Sequence, residues 1–305
     1  MEKRKRSLAI DILNGPMWDK ILRYALPVAA TGILGQLFNA SDIAIVGNFA
    51  EGDTVAAVGA NGPVIGLLLN IFIGIALGAN VVIANAIGRG DKETVSRAVH
   101  TSIVAAVLGG IIVGLLGQLL AEPVLSMLQV PEDVFPLALK YMRIYLLGLP
   151  VIFLYNFEAA IFRSAGDTKT PLVALALSGV LNVILNLFFV VVLNKTVDGV
   201  AIATVLANVV SSVVLLRRLL RSELFIHVEF KNLRIDWKIL WRILKIGVPA
   251  GIQGAVFSLS NIVVQSAINS LGKVTMAASS AAFNVEIMAY YILNSFGQAC
   301  TTFVG

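Results

Sequence analysis

The sequence predicts an all-α integral membrane fold, and three observations carry that prediction. The 305 residues are 58% apolar and 13% charged, with a mean hydropathy of +0.88. A soluble domain is about half apolar and about a quarter charged. The apolar runs are far longer than the roughly 10 residues that a barrel strand needs. Lipid offers no hydrogen bonds, so backbone N–H and C=O groups in such runs must pair within helices. Finally, Lys and Arg cluster in alternate connections, as they do when kept on one side of a bilayer.

The start is basic (Lys3, Arg4, Lys5, Arg6), but no short apolar core with a small-residue cleavage site follows, so no cleaved signal peptide is expected. Residues 7–20 are partly amphipathic and read as a short surface-lying helix. Eight segments are then long enough to cross about 30 Å of hydrocarbon: 24–46, 55–87, 98–120, 137–162, 171–193, 200–216, 243–270 and 276–304. The second is long for one span, which predicts tilt or an extension into water. All of the 23 Lys and Arg except Lys140, Arg143, Lys195 and Lys273 fall on the side that holds the N-terminus. That asymmetry predicts a cytoplasmic N-terminus in a multi-pass protein of the cytoplasmic membrane. The net charge of +5 is then membrane topology, not nucleic-acid affinity.

The longest polar connection, 217–245, reads as a cytoplasmic linker, with a surface-lying helix near Trp237 and Trp241. Beyond it the first spans begin to repeat. Leu26-Pro27-Val28-Ala29 corresponds to Val248-Pro249-Ala250-Gly251, and Asn39 falls on Asn261. After a one-residue slip, Gly74 falls on Gly297. The predicted organisation is a six-helix lobe (1–220), a linker (221–242) and the first two helices of a second lobe (243–305). Such a chain is expected to be part of a longer protein; a self-contained eight-span protein is the competing reading.

Polar residues inside spans cost free energy, about 2.5–3.5 kcal/mol for a charge on insertion scales, so they mark function. Gly32, Gly35, Gln36, Asn39 and Asp42 step by three and four along one helix face. A carboxylate there invites neutralisation by a proton or sodium ion, since desolvation disfavours its charged form. The competing reading is a hydrogen-bonded interface residue. Ser178, Asn182 and Asn186 form one polar stripe; Thr204, Asn208 and Ser211 form another. Together they are expected either to line a cavity near Asp42 or to bond helices together. Glu158 is expected near Arg163 in a local pair. Glu286 with Tyr290 is a candidate organic-cation contact through charge and ring face. Gln253, Asn261, Gln265 and Asn269 add polarity to the seventh span. Gly62/Gly66, Gly74/Gly78 and Gly110/Gly114 are small-xxx-small pairs that permit close helix approach. His100 and His227 read as residues of polar connections without enough partners for zinc, and Cys300 as a small packed residue. Gly88-Arg89-Gly90-Asp91 has the form of a protease motif, but its charged surroundings argue for a watery loop. Asn194 opens a glycosylation sequon on the outer side.

Several of these stretches resemble one family. The stretch from Arg163 through Gly166-Asp167 to Pro171 is similar to the Arg-x-x-Gly-Asp-x-x-x-Pro loop of the multidrug and toxic compound extrusion (MATE) family. Asn39-Ala-Ser-Asp42 with Val46-Gly47 resembles its first-helix motif, and Leu181-Asn182 through Asn186 its fifth-helix motif. Gly297-Gln298-Ala299 through Gly305 resembles its eighth helix. The resemblance covers essentially the whole chain. It implies twelve helices in two six-helix lobes around a central cavity, with alternating access driven by sodium or protons. It carries the first-helix acid onto Asp42 and the fifth-helix asparagine onto Asn182. Asn186 stands where Asp is frequent, and the region around Val256-Phe257-Ser258 lacks the seventh-helix Glu of some members.

The expected function is therefore cation-coupled efflux of small organic cations, with no enzyme chemistry and no cofactor beyond sodium or a proton. Asp42, Asn39, Asn182 and Asn186 are the coupling-ion candidates; any sodium would sit at Asp42. Gln36, Asn208, Gln265, Glu286 and Tyr290 are cavity candidates. The bilayer and the transported cation are the expected partners, nucleic acid is not, and the complete protein is expected to be monomeric. The rivals are a lipid-linked precursor or metabolite flippase of the same fold, which would need a basic cavity, and a non-transporting truncated membrane protein.

Overall fold

The computed structural model describes residues 10, 17–49, 52–222, 225–270 and 273–304. Among them the chain is helical, with no strand. The helices are α1 (Met17–Phe49), α2 (Gly52–Gly88), α3 (Lys92–Met127), α4 (Phe135–Ser164), α5 (Lys169–Leu187), α6 (Val197–Leu220), α7 (Trp237–Ser270) and α8 (Lys273–Val304). A π-helical turn, Phe188–Val192, continues α5, and a 3₁₀ turn, Phe230–Asn232, lies between α6 and α7. At 1.5 Å per residue the 37 residues of α2 run about 55 Å, well beyond the hydrocarbon, which is the expected excess length. The surface helix expected over 7–20 falls mostly outside the described residues; 17–20 form the first turn of α1.

Seven helices, α1 to α7, are long and apolar enough to cross a membrane. The eighth expected span forms a helix of the expected length but does not reach that threshold among its described residues. The reason is composition: Asn294, Gln298, Thr301 and Thr302 dilute its apolar run and face other polar groups. The linker is also shorter than its sequence suggested. Helix α7 begins at Trp237, so Trp237 and Trp241 belong to its first turns and not to a separate surface helix.

Helix α4 is the centre of the first lobe. It packs against α2, α3 and α6, and buried residues lie on all its faces. Phe153 stacks on Phe72 of α2 at 3.5 Å between centroids. The second group of helices joins the first by crossed pairs: α7 lies along α2, and α8 along α1. The α2–α7 approach is backbone on backbone. A Cβ placed on Gly74 would meet Gly251 N at 2.2 Å; one on Gly78 would meet Ile243 O at 2.3 Å. From the other side, a Cβ on Gly247 would meet Ile75 Cα at 2.5 Å. Gly110 and Gly114 likewise admit α4, against Pro150 and Leu146 O. The pair Gly62/Gly66 has nothing within 4 Å and so mediates no approach here.

The chain between α6 and α7 is fastened to α3. His100 is buried within α3, not in a connection as its sequence setting suggested. Its Nδ1 lies 2.6 Å from Ser96 O, and its Nε2 accepts the Glu229 N–H at 3.0 Å. Thr101 Oγ1 accepts from Asp236 N at 3.0 Å. Asp236 also pairs with Arg97 and accepts from the amides of Lys238 and Ile239, which caps α7.

Two outcomes follow for measurement. Gly74→Ala should lower thermal stability in detergent by about 1–3 kcal/mol, because the neighbour is backbone and cannot give way. Gly66→Ala should be neutral or stabilising by up to about 1 kcal/mol. The second concerns acid. The Arg97 guanidinium holds the Asp236 carboxyl below the ordinary carboxylate range. A folded value below the unfolded one means the fastening is complete above about pH 4 and lost as pH falls through the depressed value. Amide exchange protection at Lys238 and Ile239 should drop in that acid window while protection in α4 persists.

Candidate functional site

Two polar constellations stand at different depths. The first joins α1 and α5, which pack together. Asp42 lies in the last third of α1, far from that helix's Lys/Arg-rich start. Asn182 and Asn186 are one turn apart on α5, both buried. Asn186 Nδ2 donates to Asp42 Oδ1 at 2.6 Å and to Asn182 Oδ1 at 3.3 Å. A carboxylate only accepts, so the amide nitrogen must face it. That leaves Asn186 Oδ1 buried with no hydrogen-bond partner. The π-helical turn begins two residues later, a local change of helical register that is frequent at functional sites. Tyr141 and Tyr145 of α4, buried and stacked at 6.2 Å, flank this end of the lobe, Tyr141 within electrostatic reach of Asp42.

The second constellation is a cavity of about 360 Å³ between α2, α4, α7 and α8. Asn70, Asn80, Asn156, Arg163, Gln253, Phe257, Tyr290, Asn294 and Gln298 are among its walls. It lies toward the Lys/Arg-rich helix ends. Tyr24 OH, Thr302 Oγ1 and Asn80 Oδ1 form a chain at 2.7 and 3.0 Å that ties α1, α8 and α2 together beside it. Measured along α1, the eighteen residues from Tyr24 to Asp42 put the Tyr24–Thr302–Asn80 chain about 27 Å from the carboxylate.

The loop from Arg163 to Pro171 serves both structure and cavity. Gly166 takes φ +79°, the left-handed conformation that ends α4, with its N–H on Arg163 O at 3.0 Å. Asp167, buried, caps α5 by accepting from Thr170 N at 2.9 Å and Thr170 Oγ1 at 2.6 Å. Arg163 alone of this motif reaches the cavity.

Residues 27–188 match the MatE family model. The chain belongs to the MatE family. Probable multidrug resistance protein YoeA of Bacillus subtilis (strain 168) is 29% identical over 99% of this chain and 67% of its own length. Probable multidrug resistance protein NorM of Thermotoga maritima is 26% identical over 94% of this chain and 62% of its own. The chain thus spans about two thirds of the length of the curated relatives it matches. A solved MATE transporter in an outward-facing conformation superposes with a TM-score of 0.90 at 23% identity, over 97% of this chain and 66% of that one. That likeness establishes the all-helical MatE fold.

Set on the MatE fold, the sequence-predicted residues divide. Asp42, Asn182 and Asn186 come together; Asn39 is exposed. Asn208 does not join them: its amide returns to Thr204 O in its own helix at 2.9 Å, and Thr204 and Ser211 do the same with Val200 O and Ala207 O. Gln36 is off the cavity and donates to Tyr291 OH at 2.9 Å. Tyr290 does line the cavity, but Glu286 is exposed and outside its walls. The side chain of Gln265 lies outside the described residues. Glu158 does not pair with Arg163: it points to α6, accepting from Ser212 Oγ at 2.9 Å, because residues five apart leave opposite faces of a helix. Cys300 is exposed on α8, not packed. Among the described residues no group of His, Cys, Asp and Glu could hold a metal as a cluster. The sequence reading missed Asn294 and Gln298, although they continue the four-residue step from Tyr290.

Asp167→Ala should lower stability by about 1 kcal/mol through loss of the α5 cap, with Asp167→Ser recovering most of it. Thermal unfolding in detergent measures both.

Proposed function

We propose that this MatE chain works in efflux of organic cations coupled to inward flow of protons or sodium across the cytoplasmic membrane, with Asp42 as the coupling residue. The observation that carries this reading is the Asp42–Asn186 pair, in which a carboxylate and a partnerless buried carbonyl oxygen lie on facing helices. Hard cations take oxygen ligands, and these are of that kind. A proton would instead neutralise the carboxylate directly. Either event removes a charge that is costly at this depth and frees the Asn186 amide to turn, which changes how α1 and α5 pack. An organic cation competes for the same carboxylate, so loading the coupling ion releases it on the outer side.

Exchange of one organic cation for one inward proton or sodium ion moves no net charge, so the coupling ion's concentration gradient drives it at about 1.4 kcal/mol per tenfold ratio; each further ion carried inward adds about 2.3 kcal/mol per 100 mV. The Lys/Arg asymmetry supports a cytoplasmic N-terminus, which puts Asp42 nearer the outer face.

The test is ethidium efflux from cells expressing the gene. Asp42→Asn should cut efflux by at least about tenfold, with protein present in the membrane at the wild-type level. Asn186→Leu should weaken it less. Full efflux by Asp42→Asn would overturn the reading. Replacing the sodium gradient by a proton gradient then names the ion.

A further inference from the structure

The cavity between α2, α4, α7 and α8 has a polarity opposite to that of Asp42, and it is built in a way that fixes its sign. Arg163 Nη1 donates to Gln298 Oε1 at 3.2 Å. Gln298 Nε2 donates to Asn294 Oδ1 at 3.0 Å, and Asn294 Nδ2 donates to Tyr290 OH at 3.2 Å. The direction is forced, not chosen. A guanidinium has only donors, so Gln298 must turn its oxygen to Arg163. Its nitrogen then faces Asn294, which must present oxygen to it and nitrogen to Tyr290. At the end of this ladder the tyrosine oxygen accepts, and its own O–H remains a donor. A positive charge at one end and a donating hydroxyl at the other polarise the chain in one sense. All four groups line the cavity.

Among the described residues no carboxylate offsets them: none lines the walls and no ion pair reaches Arg163. The acid nearest in sequence, Glu158, faces Ser212 on α6. Gln298 occupies one N–H of a guanidinium that has five, and a planar guanidinium matches a carboxylate or sulfonate two bonds at a time. Beside Tyr290 the wall is aromatic: Phe257 lies parallel to it, with centroids 5.6 Å apart at 9°. A volume of about 360 Å³ suits a small organic ligand.

We propose that this cavity binds organic anions with a planar aromatic body, the acid group at Arg163 and the Tyr290 hydroxyl and the ring along Phe257. The inference goes beyond the antiport reading and does not rest on it. It gives the protein a second recognition site of opposite sign, whose walls do not include Asp42.

Purified protein in detergent is titrated into two xanthene dyes of similar shape, anionic fluorescein and cationic rhodamine 123, at pH 7.5, with fluorescence anisotropy as readout. Fluorescein should bind the wild-type protein, and excess rhodamine 123 should not displace it. Arg163→Gln should weaken fluorescein binding at least about tenfold and leave rhodamine 123 binding unchanged, and Arg163→Lys should keep part of the fluorescein affinity. Gln253→Glu, which adds a carboxylate to the same wall, should shift preference toward rhodamine 123. Absence of fluorescein binding by the wild-type protein would overturn the proposal, as would undiminished fluorescein binding by Arg163→Gln. Failure of the antiport reading shows in the Asp42→Asn efflux assay and leaves this titration untouched, so the two are told apart.

Discussion

Lipid supplies no hydrogen bonds, and the arrangement of polar side chains in this chain follows from that single constraint. Each donor within a span has two routes. It can fold back on a carbonyl four residues earlier in its own helix, as Thr31, Ser41, Asn48, Asn156 and Thr204 do. Or it can reach a neighbouring helix, as Asn186 does to Asp42, Asn70 to Ser258, and Ser212 to Glu158. The first route only satisfies a group. The second ties two helices at a point and makes their separation depend on the state of both groups. Where the second route involves an ionisable group, as at Asp42, Glu158 and Arg163, the tie depends on the charge of that group.

The same constraint explains what was legible in the sequence. The helices were, because apolar run length and a few prolines and glycines set them. The Asp42–Asn182–Asn186 grouping was also legible, since a carboxylate in a span demands partners and α5 offered a periodic stripe. Asn208 carried the same periodic signal as Asn186, yet its amide turned back to Thr204. Sequence period tells which face a residue is on, not which route its hydrogen bond takes. The ladder on α8 escaped for a related reason. Tyr290, Asn294 and Gln298 were periodic, but their meaning depends on Arg163, which sequence placed in a loop motif. Helix α8 itself read as an ordinary span until its amides were seen facing the cavity. The buried position of His100 was not visible either, because its partner is a backbone N–H from a segment 129 residues away.

The loop between α4 and α5 shows how little sequence separates architecture from recognition. Gly166 ends one helix, Asp167 starts the next, and Arg163, one turn earlier, is thereby aimed at the cavity. The two turn-forming residues set the angle at which the guanidinium is presented. Ser164 Oγ on Ile161 O and the amides of Ala165 and Asp167 on Phe162 O close the same helix end.

The crossing of α2 and α7 has a mechanical consequence. Glycines interdigitate there from both helices with a four-residue period, so backbone touches backbone with no side chains between. Sliding either helix by one residue would bring Ile71 or Ile75 into the gap and force the axes apart. Tilting about one glycine pair would part the other, one turn away. Contact at two successive turns therefore locks the register of α2 and α7, and the pair shifts as one rigid piece.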